Sequence, residues 1–105
     1  MTGHELHRFI REYLEKNKVK PFWVASAMEY IEKVIYGNGH FLTSVSSPEL
    51  VVHRDYKCVE KFSFKAKASI PDKNLADQEM LVTYTFDPDA VKNNHKVTIK
   101  AAKKN

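Results

Sequence analysis

The chain has 105 residues, a net charge of +4, and 43% hydrophobic and 29% charged residues, the make-up of a globular domain able to bury one core without staples. Three glycines and four prolines exclude long disordered stretches, and no run nears the roughly 18 apolar residues of a membrane span. One cysteine, Cys58, excludes an internal disulfide framework and fits a reducing compartment, for which the cytoplasm is the expectation.

The start, MTGHELHRF, is charged and lacks the apolar stretch of a secretory leader, so none is expected. Thr2 with Glu5 three residues on forms a capping box. Leu6, Phe9, Ile10, Tyr13 and Leu14 then recur at the spacing of one helical face, which predicts an amphipathic helix over about 4–17. Arg8, Arg11, Glu12, Glu15 and Lys16 take its wet side. Pro21 suits the first turn of a second helix. Val24, Ala27, Met28, Ile31, Val34 and Ile35 form its stripe, and Trp23 and Tyr30 widen it. A stripe this broad predicts contact with both the first helix and a sheet. Gly37 is the expected left-handed residue that ends the helix.

Beyond Gly37-Asn38-Gly39 the period changes to two. A strand is expected over 40–45, a break at Ser46-Ser47-Pro48-Glu49, and a second strand over 49–54, where Leu50, Val51 and Val52 cluster. Ser47-Pro48-Glu49 also has the form of a helix start. Clearer strands fall at 58–70, 79–86 and 95–102, with Asp87-Pro88-Asp89 and Asn93-Asn94 marking the last turn. Phe62, Phe64 and Ile70, then Met80, Val82, Tyr84 and Phe86, then Val97, Ile99 and Ala101 share one apolar face. The expected fold is a single α+β domain over 1–105: two N-terminal helices packed on one face of an antiparallel four- or five-stranded meander.

The opposite parity carries Lys61, Lys65 and Lys67 on one strand and Lys96 and Lys100 on another, with Thr83, Thr85 and Thr98 among them. Residues 1–56 hold seven basic and seven acidic side chains; 57–105 hold ten lysines and six acids, so this half supplies the whole excess. The segments 61–70 and 95–105 contain seven lysines and no acid. With one strand between them, the two lysine rows lie about 10 Å apart, at ~4.8 Å per strand. Lysine and threonine could grip a phosphate backbone there. The face offers no arginine for bidentate base readout and no expected outward aromatic for stacking. The plainer reading of the same lysines is the solvated side of a sheet.

Other motifs carry less. His53-Arg54-Asp55 spells the start of a kinase catalytic loop, but Glu60 stands where the metal-holding Asn belongs and no glycine-rich loop accompanies it. His4 and His7 are three apart, not at the four-residue spacing of a helical zinc pair. Cys58 shares parity with Phe62 and Phe64, which assigns it to the core as an inert thiol. A basic protein with five histidines could be a ribonuclease, with a His or Glu base and a Lys on the phosphate. The order of elements resembles the RelE/ParE-type toxins, which pair two helices with a basic antiparallel sheet. That family places a strand before its helices, whereas this chain begins with a helix, and no motif carries residues across.

Phe22, Trp23, Tyr30, Tyr36 and Tyr56 are more aromatics than a small core needs, and exposed Trp and Tyr favour protein interfaces. The reading is a non-enzymatic binding module. Trp23, Tyr30, Tyr36 and Tyr56 are its candidate contacts to a protein partner or a second copy. The alternative is polyanion or nucleic-acid backbone binding through Lys61, Lys65, Lys67, Lys96 and Lys100; the second alternative is a small ribonuclease-like protein. No cofactor, metal or membrane partner is expected.

Overall fold

A computed structural model describes residues 2–92 and 94–101. Asn93, Ala102, Lys103 and Lys104, which the sequence places in the last turn, strand and lysine run, lie outside them. Helix α1 spans Gly3–Lys16 and helix α2 spans Pro21–Gly37. The capping box forms as expected: the Glu5 amide donates to Thr2 Oγ1 at 3.2 Å, and the Thr2 amide donates to Glu5 Oε1 at 3.2 Å. Lys18, in the left-handed region at φ 65°, turns the chain, and the Val19 amide closes on Leu14 O at 3.1 Å. Pro21 sits in the first turn of α2. At the other end the left-handed residue is Gly39, at φ 71°, not Gly37, which is the last residue of the helix. The His40 amide bonds Ile35 O at 3.1 Å and finishes the cap.

Four strands follow: β1 Phe41–Val52, β2 Val59–Ile70, β3 Leu75–Phe86 and β4 His95–Ala101, with a short 3-10 turn at Pro71–Lys73. They form one antiparallel sheet in the order β1-β2-β3-β4. The two strands expected over 40–45 and 49–54 are one. Ser47 and Pro48 together oppose Phe64, so the break is a bulge. Ser47 adopts φ 53° there, and β1 is an edge, where a proline without an amide hydrogen is tolerated. The Tyr13 hydroxyl donates to Pro48 O at 3.2 Å and takes up a carbonyl that the bulge displaces. Strand β3 begins at Leu75, ahead of the expected 79. Asp77 sits within it at φ 51°, where the register with β2 shifts.

The helices cover one face. Leu6, Ile10 and Leu14 from α1 and Val24, Ala27, Met28, Ile31 and Ile35 from α2 pack on Phe62, Phe64, Ala66, Ala68, Met80, Val82, Tyr84 and Phe86. Phe9 meets Phe64 edge-on at 5.7 Å, and Tyr13 meets Phe62 at the same distance. A 12-residue strand spans about 40 Å, while helices of 14 and 17 residues span about 21 and 26 Å. The sheet therefore overhangs the helices. Ile70, Val97 and Ile99, expected in the core, are half-buried and Ala101 is exposed.

Candidate interaction surfaces

The uncovered face of the sheet follows from strand register. Lys61 pairs with Thr85, and Thr85 with Lys96. Ser63 pairs with Thr83, and Thr83 with Thr98. Lys65 pairs with Leu81, and Leu81 with Lys100. Four lysines thus mark the corners of a rectangle about 10 Å across the strands and 14 Å along them, with a row of hydroxyls through its middle. Lys67 lies beyond one corner, and all five lysines are exposed. Among the described residues none of the five is held in an ion pair.

Two further features of this face emerge from the register of the strands. It is not free of acids: Glu79 lies directly opposite Lys67, and Glu49 of β1 opposite Ser63. Neither is it free of aromatics: Phe41, at the far end of β1, pairs with outward-facing Ser69 and is 57% exposed. A groove of about 320 Å³ on this side is lined by Ser44, Ser46, Lys65, Lys67 and Glu79, so acid and base share it.

The aromatic candidates divide. Trp23 is half-buried, with Phe22 edge-on at 4.9 Å on one side and Phe86 at 4.8 Å on the other. Phe86 contacts the His95 ring at 4.5 Å, and Tyr30 stacks flat on His95 at 4.0 Å and 10°. Phe22, Trp23, Phe86, His95 and Tyr30 thus form an unbroken ladder of rings along the seam between α2 and β4. Its two ends face water: Phe22 is 72% exposed and Tyr30 38%. Helical geometry aligns Trp23 with Tyr30, because the two are seven residues apart and lie two turns along one side of α2. The Tyr84 hydroxyl and His95 Nδ1 are hydrogen-bonded at 2.7 Å beneath the ladder. Burial pushes the Tyr84 phenol well above its usual range and the His95 imidazole below its own.

Tyr36 and Tyr56 are exposed and are not members of the ladder. Tyr36 lies at the C-terminal end of α2, beside Gly3. Tyr56 lies in the β1–β2 turn, which the Lys20 amide ties to the helix–helix corner through Lys57 O at 3.3 Å. His95 joins the site although no motif marks it. Its only sequence signal is parity, since it shares a side of β4 with Val97 and Ile99.

The remaining candidates resolve locally. In His53-Arg54-Asp55 the amides of Asp55 and Tyr56 both donate to His53 Nδ1 at 3.2 Å, so the segment is a turn braced by its own imidazole. His7 Nδ1 lies 3.1 Å from Glu32 Oε1 and links the two helices. Cys58 is fully buried, and desolvation raises its thiol. Compared with protein-family models, with curated proteins and with solved structures, the chain matches none.

Proposed function

We propose that the protein is a non-enzymatic binding module that makes protein–protein contacts through the seam between α2 and β4. The observation that carries this reading is the ring ladder from Phe22 to Tyr30. Aromatic side chains give large contact areas and dominate the energetics of protein interfaces. Here their mutual stacking fixes them before any partner arrives, which lowers the entropy cost of ordering them on binding. A photo-crosslinking residue in place of Phe22 tests the reading. The expected result is a covalent protein adduct that survives nuclease treatment and is absent when the same group replaces Glu15 on α1. An adduct of twice the chain's mass identifies the partner as a second copy. Adducts lost to nuclease, or formed equally at both positions, reject the seam as a protein contact.

A second reading rests on the lysine rectangle. Four exposed lysines, none of them in an ion pair among the described residues, around the half-buried Thr83 and Thr98 suit the backbone of an anionic polymer, which lysine contacts as point charges without reading sequence.

A further inference from the structure

The ladder and the lysine rectangle meet at β4, and the strand between them has a free side. Among the described residues β4 pairs only with β3. Its seven residues, His95–Ala101, therefore present one row of backbone amides and carbonyls without a strand partner. Building on the contact-module reading, we infer that the partner docks as an extended acidic segment that adds a fifth strand along β4.

Strand pleat dictates the chemistry of that segment. Side chains on the helix side of an added strand would meet Val97, Ile99 and the flank of α2 that bears Trp23 and Tyr30. Those on the other side would stand about 5 Å from Lys96, Thr98 and Lys100, with Lys61 and Lys65 two strands further in. The complementary sequence alternates apolar with acidic residues. A second copy of β4 does not meet this requirement. Antiparallel pairing about Thr98 sets Lys96 of one copy against Lys100 of the other, and like charges directly opposite destabilise a strand pair. Shifting the register leaves the lysines of both copies on one shared face. The same lysines that guard an edge strand against self-pairing thereby select an acidic strand. Nucleic acid has no ladder of amides and carbonyls to match a strand edge, and the ring ladder lies on the opposite side of β4 from the lysines.

The probe is a synthetic peptide of about ten residues, the length of a long natural strand, alternating glutamate with valine and tyrosine. It is titrated against the full chain by calorimetry, with amide hydrogen exchange read on the complex. Expected are binding that weakens as salt rises, slowed exchange over residues 97–100, and a loss of about tenfold in affinity for each of Lys96→Glu and Lys100→Glu, as a surface attraction becomes a repulsion. A peptide of the same composition with its glutamates adjacent in pairs should bind far more weakly, and one N-methylated at alternate residues should not bind. Undiminished binding of either control, protection on β1 instead of β4, or no binding by the alternating peptide overturns the added strand. So does competition by an oligothymidylate, which would give these lysines to nucleic acid. Protein adducts at residue 22 together with a failed peptide titration keep the contact module and discard the strand addition; failure of both discards the module.

Discussion

Phe64 and Lys65 are neighbours in the chain and opposites in the fold. Phe64 is fully buried against Phe9, and Lys65 stands in water on the far face. Phe64→Ala should cost about 3–5 kcal/mol, as removal of a buried aromatic does, and Lys65→Ala should stay within about 0.5 kcal/mol. Equal losses in denaturant unfolding would contradict the assigned pleat. His95 makes a prediction of different form. Burial holds its imidazole below the ordinary value of 6.5. Between the two values the unfolded chain binds the proton and the folded chain does not, so stability there rises with pH. The contribution of His95 is complete above the unfolded value and is lost as pH falls through the folded one. Denaturant midpoints measured from pH 8 down to pH 5 should fall less steeply for His95→Phe than for the native chain; parallel curves would remove His95 as a source of the acid sensitivity. None of this could be read from a single histidine in the sequence, because its environment is assembled from Tyr30, Tyr84 and Phe86, which come from two other elements.

Elements were legible where one period ran unbroken. Both helices and the fold class emerge from spacing alone, since a stripe at three and four residues leaves few alternatives. The failures sit where parity slips. Leu42, Val45, Leu50 and Val52 all face the helices, yet they do not share a parity, because bulges at Thr43 and at Ser47-Pro48 each add one residue. A bulge and a turn draw on the same residues, so the sequence of β1 could not distinguish one bent strand from two. The end of α2 is a similar case, with two glycines of which one has the left-handed backbone. Gly39→Ala should cost about 1–2 kcal/mol, the penalty of that conformation for a residue with a Cβ, whereas Gly37→Ala, which meets nothing within 4 Å, should be neutral or gain up to about 0.5 kcal/mol. The reverse order of effects in thermal or denaturant unfolding would return the cap to Gly37. The bond from Tyr13 to Pro48 fastens α1 to the bent edge; Tyr13→Phe should cost about 0.5–1.5 kcal/mol and speed amide exchange in β1 more than in β3. Uniform exchange across the sheet would show that the hydroxyl does not hold the bulge.

At the scale of the whole molecule, the helices cover one side of the sheet and leave its charge on the other. The lysine side was legible because alternation in 61–70 is strict. Its acids were less so: Glu49 follows the bulge that breaks the parity of β1, and Glu79, though on the outward parity of the expected strand 79–86, is set against Lys67 by a register that the sequence leaves open. These acids set the terms on which the face can hold an anionic backbone. If the four corner lysines each engage a phosphate of a duplex, counterion release gives log affinity against log salt a slope of about −3.6, at roughly −0.9 per phosphate. Lys65→Ala should remove about one unit of that slope and weaken all sequences alike, since a lysine–phosphate contact carries no base information. Glu79→Gln should act in the opposite sense, because it removes a negative charge directly opposite Lys67 and beside the groove that Lys65 lines. With a net charge of only +4, affinity should fall in the range of about 10⁻⁴–10⁻⁶ M typical of non-specific contact. Titration of a fluorescent duplex from low to moderate salt measures both quantities. Binding that is absent at low salt, or unchanged when Lys61, Lys65, Lys96 and Lys100 are all replaced by alanine, would exclude the rectangle as a site for a nucleic-acid backbone and leave the proposed contact through the α2–β4 seam.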